Sequence, residues 1–239
     1  MKLKGKKAVV TGGGSGYGAG IAAALVAAGA KVWITGRDET KLERTAKAIG
    51  ATPIVADVTS GEDWDRVFAA VGEVDVLVNN AGAAIRIAET ADQSDADITA
   101  AIAVNLTGAI MGAARAARVM RARGCGAIVN ISSVCAMYAW PGWSVYTAAK
   151  AGLLKFSHGL YAELRPHGVK VTCVMPSWGQ TDFNRAAGIT GASEDQTLAT
   201  KCMEPSELGA IVRGILEQPD HLAVPELTVL PTVQNIVPM

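Results

Sequence analysis

With 239 residues, half of them hydrophobic and only 18% charged, the chain is too apolar to be disordered and long enough to bury one large core. Lys plus Arg number 22 and Asp plus Glu number 22, giving a sequence pI near 6.8, so nothing in the charge balance favours nucleic acid or an anionic membrane as partner. The expected partner is a small molecule.

The first apolar run, 7–11, reads as a buried strand; Gly12-Gly-Gly-Ser-Gly-Tyr-Gly18 follows it directly and opens a helix over 18–28. Further strands are expected at 31–35, 52–56, 74–79, 126–132, 169–175 and 227–230, and further helices at 39–49, 61–71, 95–123, 144–166 and 205–217. Strict β/α alternation without a linker or repeat predicts one domain, 1–239, built on a parallel sheet with helices on both faces; right-handed crossovers make it doubly wound. The segment 180–203, with Gly188, Gly191 and Ser193, breaks the rhythm. Its place after the sixth strand's C-terminal end, where ligands bind in such sheets, makes it an expected lid over the site.

The longest apolar stretch, 21–30, is expected to be too short to cross a bilayer. Met1-Lys-Leu-Lys-Gly-Lys-Lys-Ala8 runs into a strand instead of a signal-peptide core, and Cys125, Cys135, Cys173 and Cys202 form no C-x-x-C pair. Buried free thiols and a cytoplasmic location are expected. His158, His167 and His221 stand apart from other ligand types, so no metal site is expected.

Two patterns carry chemistry. Glycines between a strand and a helix let a pyrophosphate approach the backbone, where helix N-terminal amides and their dipole hold it. In Ser144-Val-Tyr-Thr-Ala-Ala-Lys150, Tyr146 and Lys150 share a helix face, so the ammonium is placed to lower the phenol's pKa from its ordinary value near 10. A phenol shifted toward neutrality is a general acid and base for an alcohol oxygen.

The spacing Thr11-Gly-x-x-x-Gly-x-Gly18, Asn79-Asn-Ala-Gly82 after the fourth strand, Asn105, Ser133 thirteen residues before Tyr146, and Lys150 resemble, over the whole length, the short-chain dehydrogenase/reductase family. The resemblance implies an NAD(P)(H)-dependent oxidoreductase on a single Rossmann-type α/β domain, with about seven parallel strands in the order 3-2-1-4-5-6-7. It assigns Thr11, Gly12, Gly14, Ser15, Gly16 and Gly18 to the pyrophosphate loop, Asp57 and Val58 to the adenine edge, and Asn79, Ala81 and Gly82 to strand support and ribose contact. Tyr17 stands where the family has a small aliphatic residue. Its ring packs either beside the cofactor or between the first helix and its neighbours.

Nucleotide choice falls at the end of the second strand. Gly36 occupies the position where an NAD enzyme places a carboxylate, and Arg37 is placed to pair with a 2′-phosphate by charge-assisted hydrogen bonds, so NADP(H) is favoured over NAD(H). The competing reading of Arg37 is a solvated side chain at a helix start, with Asp38 as N-cap.

At the reacting centre, the resemblance makes Tyr146 the proton donor in reduction and acceptor in oxidation. Lys150 tunes it and bonds the nicotinamide ribose, Ser133 binds the substrate oxygen, and Asn105 holds a relay water. Ser132 is the rival of Ser133, but strand alternation turns it the other way. Pro176 and Thr181 match the family pattern after the sixth strand, with Thr181 and the Trp178 backbone assigned to the nicotinamide end; Ser177 replaces a glycine and adds a side chain near the substrate. Pocket walls are expected from 84–86, 137–143 and 177–183, with Tyr138, Trp143, Ser177 and Phe183 as substrate contacts. Arg86 reads either as a carboxylate binder or as an exposed loop residue.

The expected activity interconverts a small alcohol, of hydroxy acid, sugar or polyol type, and its ketone or aldehyde. The tail 225–234 resembles that of members acting on 3-hydroxy acids or small aldehydes. A catalytically silent nucleotide sensor of the same fold is the alternative, against which the intact Ser133, Tyr146, Lys150 and Asn105 argue. The alanine-rich 95–123 helix and the 144–166 helix resemble those forming the family's four-helix subunit contact, so a homodimer or homotetramer is expected.

Overall fold

The computed structural model describes residues 1–183 and 196–234. Seven strands form one parallel sheet in the order β3-β2-β1-β4-β5-β6-β7: β1 (Lys7–Thr11), β2 (Lys31–Gly36), β3 (Thr52–Val55), β4 (Val76–Asn79), β5 (Gly126–Ile131), β6 (Val169–Pro176) and β7 (Glu226–Val229). Helices α1 (Gly16–Ala27), α2 (Glu39–Ile49), α3 (Gly61–Val71), α4 (Asp95–Ile102), α5 (Gly108–Arg123), α6 (Ser144–Leu164), α7 (Gln196–Ala199) and α8 (Pro205–Leu216) connect them. The sheet order is the one the resemblance implied.

Alternation along β1 shows how the two cores arise. Val10 faces one side, packing with Ile21 and Leu25 of α1, Leu42 of α2 and Leu208 and Val212 of α8. Val9 faces the other, packing with Trp64 and Val67 of α3, Ala113 and Met120 of α5 and Leu160 of α6. On the first face α1 and α8 approach backbone to backbone. A Cβ built on Gly209 would sit 2.8 Å from the Gly20 carbonyl carbon, a contact that any larger residue would force apart.

The helix expected over 95–123 is divided by a π-helical turn, Ala103–Thr107, with Asn105 at its centre. A π turn breaks the regular ladder and re-aims nearby groups, which a sequence period cannot show. Asp95–Arg123 is also long and apolar enough, by length and composition, to cross a membrane, which the 21–30 stretch is not. In this fold it lies on the sheet with Ala109, Ala113, Ala116 and Met120 buried.

Candidate active site

At the C-terminal ends of the strands a cavity of about 1010 Å³ runs from the glycine loop to the start of α6. Its position follows from the all-parallel sheet, which aims every strand-to-helix loop at the same edge.

The glycine loop is shaped for an anion. Gly12 (φ 66°) and Gly16 (φ 51°) take left-handed backbone conformations that let the chain turn tightly into α1. The starts of α2, α3 and α4 are capped by their own side chains, where Asp38 accepts from the Lys41 amide, Ser60 from Asp63 and Ser94 from Asp97, whereas α5 and α6 carry no such cap. At α1, Ser15 gives no side-chain cap and the first turn holds no acid. The amides of α1 therefore begin beside Ser15, Gly16 and Tyr17, all on the cavity wall, and the first of them have no partner within the helix.

Beneath the loop, the Thr11 hydroxyl accepts the Asn80 and Ala81 amides, both at 3.0 Å, and the Asn80 side chain donates to the Thr11 carbonyl at 2.9 Å. Thr11, Gly14 and Gly18 thus build the cradle from below without lining it; at Gly18 a Cβ would collide with Asn80 and Gly12. Asn79 is buried away from the cavity, donating to Asn130 at 2.9 Å and to the Ala109 carbonyl at 3.1 Å. Asn130 continues to Ser157, tying β4, β5 and α6 together. Ala81 and Gly82 do reach the wall.

At the far side of the glycine loop, Arg37 lies on the wall and stands 4.0 Å from Asp57, with Lys41 beside it. Asp57 accepts from the Thr59 amide and hydroxyl, both at 2.8 Å, and neither it nor Val58 lines the cavity. Val58 instead receives the Trp64 indole at 2.9 Å and packs over Gly108.

Ser133, Tyr146 and Lys150 meet at the opposite end. The Tyr146 side chain is only 8% exposed, and the Ser133 hydroxyl, close enough to act on its phenol, accepts the Cys135 amide at 3.2 Å. Lys150 is buried, donates to the Ile131 carbonyl at 3.1 Å and sits 5.6 Å from the centre of the Tyr146 ring. The Ser132 hydroxyl points inward to the Lys150 carbonyl at 2.9 Å.

The electrostatics correct one expectation. Burial, followed by the Cys135 thiol, pushes the Tyr146 phenol well above its ordinary value, and the nearby Ser133 hydroxyl offsets this only in part. Burial also brings Lys150 down to about 8. Removing both groups from water outweighs the ammonium's effect on the phenol, so the chain by itself holds Tyr146 in its acid form.

Asn105 donates to the Ala83 carbonyl at 2.7 Å and to Ala101 at 2.9 Å, and accepts the Ala83 amide at 3.1 Å. Its carboxamide therefore fixes the loop after β4. A Cβ on Gly82 would lie 2.8 Å from Asn105 Oδ1 and 3.3 Å from Lys150 Nζ, so the missing side chain keeps a gap between them.

Aromatic rings crowd this end. Trp143 stands edge-on to Tyr146 at 5.6 Å between centroids, and Phe183 is tilted against its ring at 5.5 Å. Trp140 lines the cavity as well. Tyr138 does not, contrary to its expected substrate contact; its ring stands edge-on to Trp140 at 6.4 Å between centroids. Pro176, Ser177, Trp178 and Thr181 all reach the wall, while Arg86 is exposed and off it.

Of the expected lid, 184–195 lies outside the described residues. Its two feet are tied by Gln180 donating to the Met203 carbonyl at 2.9 Å and Met203 to that of Trp178 at 3.0 Å.

Lys41, Cys135, Leu198 and Gln234 also line the cavity and were not singled out from the sequence. A second cation four positions after Arg37 was a usable signal for Lys41. Gln234 had none, because only the folded tail brings its side chain to the Trp178 amide, at 3.4 Å. Among the described residues, no group of three or more His, Cys, Asp or Glu is placed to hold a metal ion.

Residues 6–190 match the model of the short chain dehydrogenase family. The chain belongs to the short-chain dehydrogenase/reductase family. An uncharacterized oxidoreductase of Staphylococcus aureus (strain USA300) is 33% identical over 236 residues, covering 96% of this chain and 98% of the relative. Among solved structures, the closed form of a serine dehydrogenase complexed with NADP+ superposes with a TM-score of 0.90 at 26% identity, covering 98% of both chains. A metagenomic short-chain oxidoreductase in complex with NADP gives 0.82 at 31% identity, covering 98% of this chain and all of the other. This short-chain dehydrogenase/reductase is thus an NAD(P)-dependent oxidoreductase. Its two departures from the family pattern, Tyr17 and Ser177, touch: the Tyr17 hydroxyl donates to the Ser177 carbonyl at 3.2 Å.

Proposed function

We propose that this enzyme interconverts an alcohol and its ketone or aldehyde, with Tyr146 as general acid and base and NADP(H) as the preferred cofactor. The residues present fit a dinucleotide, since the uncapped N-terminus of α1 and the side-chain-free glycine turn leave a cradle for its pyrophosphate. Bound there, the cofactor supplies hydride donation or acceptance. Arg37 and Lys41, with Gly36 in place of a carboxylate, support recognition of a 2′-phosphate, and two structural neighbours hold NADP.

The observation that carries the reading is Ser133 and a buried Tyr146 lining the far end of that same cavity, with Lys150 behind them. Ser133 holds the substrate oxygen and stabilises the charge that grows on it. Tyr146, kept in its acid form by burial, hands its proton to that oxygen during carbonyl reduction and takes one back during alcohol oxidation. Lys150 sits behind the phenol, offsets negative charge there, and bonds the nicotinamide ribose. Asn105 fixes the loop beside Lys150 and keeps the gap at Gly82 for a relay water. Thr181 and the Trp178 backbone orient the nicotinamide end, and the 180–203 segment acts as a lid. Substrates of hydroxy acid, sugar and polyol type are the small alcohols to assay first.

Replacing Tyr146 by Phe tests the reading: turnover of every alcohol or carbonyl substrate should vanish while NADPH still binds. Retained turnover overturns it. We also infer assembly into a dimer or tetramer through α4, α5 and α6, which match the helices of the family's subunit contact in the resemblance; sedimentation showing only monomer at micromolar concentration removes this.

A further inference from the structure

We propose that Thr45 is a positioning residue for the dinucleotide, holding the glycine turn in register with the two cations that follow β2. The inference rests on the NADP(H) reading above and adds a residue that does not itself line the cavity.

The glycine turn is fastened to β2 and α2. The Gly13 amide donates to the Thr35 carbonyl at 3.0 Å. A Cβ built on Gly13 would lie 2.5 Å from Ile34 Cβ, so the missing side chain lets the turn pass this close to the strand. One residue on, the Thr45 hydroxyl donates to the Gly14 carbonyl at 2.8 Å. Thr45 is half-buried and stands four residues after Lys41, so the two share a face of α2. The stem of Lys41 passes the same glycine: a Cβ on Gly14 would sit 3.6 Å from Lys41 Cγ and 3.7 Å from Leu42 Cα. The helix is a firm support, since Leu42 and Ala46 are buried in the core that holds Val10 and Ile34, and Asp38 caps its start.

Peptide geometry turns the Thr45 bond into a constraint on the cavity. The Gly14–Ser15 peptide is trans, and in a planar trans peptide the carbonyl and the following amide point in opposite directions. With the Gly14 carbonyl held on Thr45, the Ser15 amide is aimed away from α2, at the start of α1 where Ser15 and Gly16 line the wall. Lys41, on the same face of α2 as Thr45, lines the wall beside Arg37. One helix thus sets both an amide of the pyrophosphate cradle and a cation for the 2′-phosphate. A nucleotide held at both places needs them correctly spaced before it arrives, because ordering them on binding would cost affinity. A nucleotide without the 2′-phosphate depends on the cradle alone.

Thr45→Val keeps the branched shape and removes the donor, whereas Thr45→Ser keeps the donor. Fluorescence titration with NADPH and NADH measures the effect, with melting temperatures alongside. We expect Thr45→Val to weaken NADPH roughly fivefold and NADH by less, and Thr45→Ser to bind both as wild type does. In a Lys41→Ala background the loss on NADPH should shrink to that on NADH, a coupling that a purely structural role would not give. Unchanged NADPH binding in Thr45→Val, whatever its melting temperature, overturns the inference. So does an equal loss for the two nucleotides, or a loss in Thr45→Ser as large as in Thr45→Val. Thr45→Ala, a better helix former, gives the same comparison if the Val variant does not fold. Failure of the NADP(H) reading shows separately, in the wild type, as equal or tighter binding of NADH.

Discussion

The Tyr17 hydroxyl donates to the Ser177 carbonyl at 3.2 Å, joining the first turn of α1 to the loop after β6. Both residues line the cavity. The Tyr17 ring lies so close over Gly179 that a side chain there would run into it, so the loop owes its path to both a hydrogen bond and a contact.

Tyr17→Phe keeps the ring and removes the hydrogen bond. Stability should fall by about 1 kcal/mol, the cost of leaving the Ser177 carbonyl without its donor. KM for the cofactor should rise as the loop loosens. Urea denaturation and steady-state kinetics check both, and unchanged values would reduce Tyr17 to a space-filler.

Tyr146→Phe removes the acid while preserving the packing of Trp143 and Phe183. Turnover should drop roughly 10²- to 10⁴-fold or more, with NADPH affinity unaltered. Cofactor titration alongside the rate assay separates loss of chemistry from loss of binding.

Lys150 releases its proton near pH 8 in the folded chain, against an ordinary value of 10.5. Between these values the unfolded chain binds more protons than the folded one, so stability rises with pH across that window. In Lys150→Met the contribution is gone. The stability of wild type relative to this variant should therefore increase from pH 8 to pH 10.5. Denaturation curves taken at both ends decide it, a flat difference showing that burial does not shift Lys150.

Arg37→Ala combined with Lys41→Ala should weaken NADPH by at least roughly tenfold and leave NADH nearly unchanged, because only the former carries the 2′-phosphate. Fluorescence titration with both nucleotides measures this. Equal losses would mean the two cations serve the rest of the dinucleotide.

Gly209→Ala tests the close packing of α8 on α1. With the added Cβ 2.8 Å from the Gly20 carbonyl carbon, the helices must separate, at a cost of about 1–3 kcal/mol. Because α1 carries the glycine turn at its start, cofactor affinity should fall with stability. A melting temperature equal to that of wild type would show that α8 shifts freely.

The sequence by itself determined the sheet, the order of its elements along the chain and the approach of Tyr146 to Lys150 behind it. β/α alternation is a local property, and so are the i, i+4 spacing of Tyr146 and Lys150 and the glycines after β1; the periodicity of side-chain directions makes them legible. Only the tertiary structure decided the rest. It turned Tyr138 away from the cavity while admitting Trp140, brought Lys41 and Gln234 to the wall, and put a π turn under Asn105. It also reversed the expected effect on the Tyr146 phenol. Spacing shows that an ammonium is near, but the sign of a pKa shift depends on how much water is excluded, and segments distant in sequence set that exclusion when they pack together.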